Sequence, residues 1–235
     1  MLHRLLGAVA LLVLAAPSQA QDLNSAEIIV TGSRIEQDDY SREMPAVGLR
    51  KSADYLVQEV AIRGDTRDPK QRSQEIYAML GKAVAMAPAN GIELAYGDYI
   101  LTQLTAQNLE DLVRRADSRP DSQRVDFLVK VRLSPGTTGQ QAEAKIAKFI
   151  ETVPEVGRAQ MDEMGDSTLS VIGPDSYRQQ IAGVIATDAR ALAQTIGEGY
   201  GVEIKGLNMP VQWSRSGPSD VMLYIPYELV IVPRR

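Results

Sequence analysis

An α+β fold, a mixed or antiparallel sheet with three main helices packed on it, is predicted from three observations. Three segments carry apolar residues at helical spacing, each opened or closed by Pro or Gly. Residues 125–133 alternate apolar and polar side chains over a strand's length. The C-terminal third runs strand to turn to strand, the pattern of hairpins and not of parallel crossovers.

The elements follow in order. Asp22 to Arg50 is polar and poorly periodic, apart from the β-branched run Ile28-Ile29-Val30. It reads as a flexible N-terminal segment over residues 21–53, with the globular body over 54–235. Tyr55 to Arg63 is β-rich. Asp68-Pro69 suits a helix start, since Asp accepts N-cap bonds and Pro fits at N1. Ile76, Met79, Leu80, Ala83, Val84 and Ala87 form its stripe. Pro88 and Asn90-Gly91 end it, and Ile92 to Leu104 reads as a strand. Thr105 to Gln123, rich in Arg and acids, reads as a loop or short helix with a solvated charged face.

Val125, Phe127, Val129, Val131 and Leu133 alternate with Asp126, Leu128, Lys130 and Arg132, which marks a half-buried strand. Ala142, Ile146, Phe149, Ile150 and Val153 stripe the second helix. Arg158 to Ile172 follows as a strand interrupted near Gly165. The third helix is opened by Gly173-Pro174-Asp175 and striped by Ile181, Val184, Ile185, Ala189, Leu192 and Ile196. Val202 to Trp213 and Val221 to Val232 read as the closing strands, with Pro226 at an edge or bulge.

At the N-terminus, the basic residue Arg4 precedes the apolar run Leu5 to Ala16, then Pro17 and Ser18-Gln19-Ala20. This predicts a secretory signal peptide over residues 1–20, cleaved after Ala20. The run is too short to span a bilayer, so no transmembrane segment is expected in the mature chain. Periplasmic localisation follows, with outer-membrane association open.

Composition then excludes much chemistry. The chain has no cysteine and one histidine, which is His3 and leaves with the signal peptide. A Ser-His-Asp triad, a Cys-His pair and a thiol–disulfide site are therefore excluded, and the Cys and His ligands on which zinc sites and ordinary haem ligation almost always rely are absent. A net charge of −5 argues against nucleic acid as a partner. No catalytic residue, metal site or cofactor is predicted. A carboxylate-based hydrolase is the one enzymatic alternative that composition permits. Asp162, Glu163 and Asp166 cluster in sequence, and a solvated turn explains them as simply.

Three stretches resemble the SIMPL-domain family of exported bacterial envelope proteins. These are Arg63-Gly64-Asp65 with Asp68-Pro69 ahead of the first helix, Thr187 to Gln194 running to Gly197 and Gly201-Val202, and the closing strand. The resemblance spans Tyr55 to Val232. It implies a SIMPL-like α+β domain, export, possible homo-oligomers and a non-enzymatic scaffold or binding role. Asp188 is the residue to watch, with Arg190 or a neighbouring strand as its simplest partner.

A second resemblance lies at Glu27-Ile28-Ile29-Val30-Thr31-Gly32-Ser33-Arg34-Ile35, which is similar to the box of TonB-dependent outer-membrane receptors. There the box adds a strand to the energy-transducing partner, with backbone bonds giving affinity and alternate side chains giving register. The resemblance makes Glu27, Ile28, Ile29, Val30, Thr31 and Gly32 partner-binding residues toward a TonB-type periplasmic domain. The other reading is a terminal strand that pairs with the chain's own sheet.

Overall fold

The computed structural model describes residues 26–30 and 47–234. The expected signal peptide, Thr31, Gly32 and the rest of the box to Ile35 lie outside the described residues.

The expected α+β class is the one observed. Among the described residues, twelve strands and three α-helices succeed one another: β1 (Glu27–Val30), β2 (Leu49–Ser52), β3 (Tyr55–Gly64), α1 (Pro69–Met86), β4 (Glu93–Tyr96), β5 (Thr102–Gln103), β6 (Arg115–Ala116), β7 (Gln123–Arg132), α2 (Gly139–Thr152), β8 (Gln160–Ile172), α3 (Arg178–Ile196), β9 (Tyr200–Lys205), β10 (Gln212–Arg215), β11 (Asp220–Tyr224) and β12 (Glu228–Pro233). The large sheet has the order β1-β8-β3-β7-β4-β5, with β6 also on β7. A three-stranded sheet, β10-β11-β2, and a two-stranded sheet, β12-β9, complete the set. All the strand pairs are antiparallel.

The helices start where the capping chemistry expects. Asp68 Oδ1 accepts the Gln71 N–H at 2.7 Å, and Pro69 occupies the first turn. Thr138 and Gln141 close a reciprocal capping box on α2. Ile76, Met79 and Leu80 of α1, Ile146 and Phe149 of α2, and Ile181 and Ile185 of α3 are buried in one core. Its sheet side is Leu56, Val60 and Ile62 of β3 with Val125, Phe127 and Val129 of β7.

The other face of the large sheet is also partly closed. The sheet curls until its ends meet: the Leu101 N–H donates to the Glu27 carbonyl at 3.1 Å, and Ile28 bridges to Ile100. Tyr55, Val57, Ala95 and Leu128 form a small second core there. This is why β7 is buried on both faces through its second half, where the sequence predicts a half-buried strand.

Several expectations change. The folded body does not wait for Asp54, because β1 and β2 already belong to sheets. Ile92 to Leu104 is two short strands parted by Gly97, whose φ is +123° and where a Cβ would lie 2.3 Å from the Ile100 carbonyl oxygen. Val202 to Trp213 is also two strands, β9 and β10, in different sheets. Pro226 does more than mark an edge: it separates β11 from β12, since it has no N–H to continue a ladder. The α3 stripe is narrower than its apolar residues suggest. Ile181, Ile185, Ala189 and Ala193 are buried, while Val184, Leu192 and Ile196 are exposed. Among the described residues no helix is long and apolar enough to cross a membrane.

Candidate functional site

Two polar constructions stand out. One surrounds the residues that the sequence marks as partner-binding. The other is a cleft that sequence reasoning missed.

Strand β1 is docked as an edge strand on β8, with Glu27 opposite Ile172, Ile28 opposite Val171 and Ile29 opposite Ser170. Ile28 is fully buried among the helix-side core. Ile29 points the other way and packs on the small second core. Glu27 reaches beneath the curl. Its carboxylate accepts hydrogen bonds from the Lys130 ammonium and the Ser170 hydroxyl. Lys130 and Ser170 are both buried, at 4% and 0% exposed. The Lys130 ammonium also sits 4.1 Å from the Tyr55 ring centroid and 3.8 Å from Glu93. Tyr55 donates to Glu93 at 2.9 Å. Its phenol is pushed up, first by burial and then by Glu93, so it stays protonated well beyond the usual tyrosine range. Of the six partner-binding residues expected from the sequence, the structure thus groups Glu27 to Val30 in one strand held by its own sheet.

The cleft lies where β3 ends and β7 and β8 begin. Its volume is about 440 Å³, and its walls include Arg63, Asp65, Asp117, Arg119, Arg158 and Asp162. A second hollow of about 560 Å³ adjoins it, sharing Asp65, Arg119 and Arg158 and adding Arg67 and Asp121. Arg158 donates to both Asp65 oxygens, at 2.6 and 2.7 Å, the bidentate fork that suits guanidinium to carboxylate. That bond holds the Asp65 carboxyl below its ordinary value. Burial would raise Asp117, but the Ser118 N–H, the Ser122 hydroxyl, Arg63 and Arg124 together outweigh it and lower the group.

Two side chains of α1 fix the cleft's loops. Buried Glu75 accepts from the Thr66 hydroxyl, from Gln71 at 2.9 Å and from the Arg158 N–H at 3.2 Å. The Thr66 bond is the main cause of its lowered pKa. Arg72, one helical turn away and also buried, donates to the carbonyls of Thr66 and Asp121 at 2.8 and 2.9 Å. Three loops therefore hang on one pair of helix positions. Gly157 makes this possible: its φ is +58°, and a Cβ there would lie 2.3 Å from the Glu75 carboxylate.

The acidic trio is exposed, as a solvated position requires, but it lies on strand β8 and not in a turn. Asp162 and Glu163 lie within β8 and face opposite ways, and Asp162 joins the cleft by pairing with Arg63 at 3.3 Å. Asp166 follows Gly165, where β8 bulges away from β3. Buried Gln58 fills that bulge by donating to the Met164 and Gly165 carbonyls. Asp188 of α3 acts on Tyr227, whose phenol is raised by burial and then by this carboxylate. A search of known proteins adds no kinship: no family model matches the chain, and neither does any curated protein.

Arg72 and Glu75 carried a signal in the sequence. They are charged residues at i, i+3 that flank the apolar stripe starting at Ile76. The cleft itself has no local motif, because its walls come from three loops far apart in sequence.

Proposed function

We propose that the chain is an exported, non-enzymatic protein of the bacterial envelope, of SIMPL type, that holds a polar ligand in the arginine–carboxylate cleft. The observation that carries this reading is the arginine–carboxylate pairing that frames the cleft: Arg158 forks onto Asp65, and Arg63 reaches Asp117 and Asp162. Asp65 and Asp117 are both held as ions by arginines and fixed donors. A glycosidase-type mechanism needs one carboxyl kept protonated near neutrality. These two are shifted the other way, so the cleft offers fixed charges of both signs and no proton from either group. Such a frame suits recognition better than acid–base chemistry. The apolar N-terminal run and the SIMPL resemblance support export to the periplasm.

The test has two parts. The full chain is expressed with a C-terminal tag, and the cells are fractionated; the processed form is expected in the periplasm. The melting temperature is then followed against free arginine, glutamate and inorganic phosphate. Stabilisation by one of them, lost in Arg119→Ala, is expected. Retention in the cytoplasm, or cleavage of cell-wall glycan fragments, would overturn the reading.

A second reading has one observation in its favour. β1 already behaves as an added strand, and it sits at a sheet edge. Undocked, the same backbone edge could add to a TonB-type periplasmic domain. Deleting Glu27 to Ile35 should then abolish binding to that domain, and unchanged binding would sink this reading.

A further inference from the structure

Strand β12 has an unusual position. It pairs only with β9 among the described residues, and the two form a sheet by themselves. Its sequence, Glu-Leu-Val-Ile-Val-Pro, is apolar and rich in β-branched residues. An open edge of this kind is a template for another strand.

The direction of its free groups follows from the ladder. The Arg234 N–H donates to the Gly199 carbonyl at 2.7 Å. Antiparallel pairs alternate between hydrogen-bonded and non-bonded, so Glu228, Val230 and Val232 also turn their backbone groups toward β9. Leu229 and Ile231 therefore present N–H and C=O outward, and Pro233 presents C=O alone. Pro233 is tolerated at this place because its missing N–H would have faced away from β9.

We infer that β12 is a homodimer interface, in which β12 of a second copy pairs with it antiparallel about a two-fold axis through Ile231. Antiparallel edge pairing is self-complementary, as an isologous contact requires. Charge selects the register. With Ile231 opposite its symmetry mate, Val230 faces Val232 and Glu228 faces Arg234 on the same side of the sheet. Both Glu–Arg pairs form at once, one at each end. The register centred on Val230 makes a similar number of backbone bonds, about four. It sets Glu228 against a valine and forms no Glu–Arg pair across the seam, so Glu228 faces only Lys205 of its own β9. The other sheet face carries Leu229 and Ile231, continued by Val202 and Ile204 of β9. The product is one four-stranded sheet, β9-β12-β12-β9. Pro233 limits the ladder at each end, and the two-fold closes the β12 contact at two copies. The pairing is independent of the cleft reading, and Arg119→Ala is expected to leave it intact.

The chain's lack of cysteine gives a clean test. The full chain carrying Ile231→Cys is oxidised mildly, beside Leu229→Cys. Facing Cα atoms in a hydrogen-bonded pair are about 5.5 Å apart, within disulfide range. Cross-linked dimer is expected to accumulate at least tenfold faster for Ile231→Cys. Sedimentation velocity of the cysteine-free protein then tests the charges. Glu228→Arg should weaken the dimer tenfold or more, and adding Arg234→Glu should restore it. Equal cross-linking at both positions, a monomer at every concentration, or a dimer indifferent to Glu228→Arg would overturn the proposal.

Discussion

Glu27→Gln is the most informative single substitution for the docked N-terminal strand. It preserves shape and can still bond Ser170, but removes the negative charge beneath the curl. The Lys130 side chain is 5% exposed, so its ammonium remains buried. Truncating one partner of a buried pair costs about 3–5 kcal/mol. Part of that is offset here. Glu93 remains at 3.8 Å, though at 42% exposed it is screened by solvent. The Tyr55 ring face adds a cation–π contribution of about 0.5–2 kcal/mol. The net cost is therefore about 2 kcal/mol, or about 4–8 °C in Tm for a chain of this size. Lys130→Met should cost less, about 1 kcal/mol, because Glu27 keeps its Ser170 bond and some solvent. The double variant should recover most of the loss, since an apolar replacement of a buried pair is close to neutral. Urea denaturation of the four proteins gives the coupling energy directly. Strictly additive losses, within about 0.5 kcal/mol, would refute the claim that this ion pair holds β1. Hydrogen exchange at Leu169, Val171 and Gly173, whose amides face β1, supplies a local readout, because an edge strand can leave without the core unfolding.

Other outcomes follow from the same geometry. Gly157→Ala combines a positive φ with a clash against a fixed carboxylate, and should cost about 2–3 kcal/mol by thermal melting. Gly136→Ala, also at positive φ but facing open space, should cost only about 1 kcal/mol. The depressed carboxyls of Asp65, Glu75 and Asp117 contribute stability above the unfolded carboxylate range near pH ~4, and lose it as pH falls through their folded values. The urea midpoint should therefore hold from neutrality to pH ~5 and fall below ~4, with a shallower fall in Asp65→Asn. Tyr55 has the opposite sign. Its raised phenol contributes stability below the unfolded value of ~10, and loses it at higher pH, so Tyr55→Phe should flatten the alkaline limb.

The sequence was most legible where one local pattern determines one element. Asp68-Pro69 and the i, i+3, i+4 stripe fix α1, and the alternation from Val125 fixes β7. It was less legible where burial depends on distant partners. Val184, Leu192 and Ile196 fit a helical stripe as well as Ile181 and Ile185 do, yet only the latter two meet the core. Lys130 reads as the polar side of a half-buried strand. It is buried because β1, over a hundred residues earlier, folds across it. The segment at Thr105 to Gln123 reads as solvated charge, but Asp117 and Ser122 are drawn into the cleft by Arg63, Arg124 and the Gly64 carbonyl. Periodicity reports which face is apolar. It does not report which loops converge at a sheet's end.

The buried charges are placed where the chain's connections need a unique position. A one-residue slip of β1 on β8 would turn Glu27 into the helix-side core and Ile28 outward, since facing alternates along a strand. Apolar contact alone discriminates poorly between Ile28 and Ile29, which differ only in the face they present. Glu27 discriminates sharply, because only one register delivers its carboxylate to Lys130 and Ser170. The same logic applies at the cleft. Thr66, Asp121 and Arg158 come from loops with little apolar content of their own, and each is fastened by Arg72 or Glu75. Replacing such groups with apolar residues need not reduce total stability, because buried ions recover little net energy. It would leave the loops without a defined place, and the arginine–carboxylate frame of the cleft depends on that place.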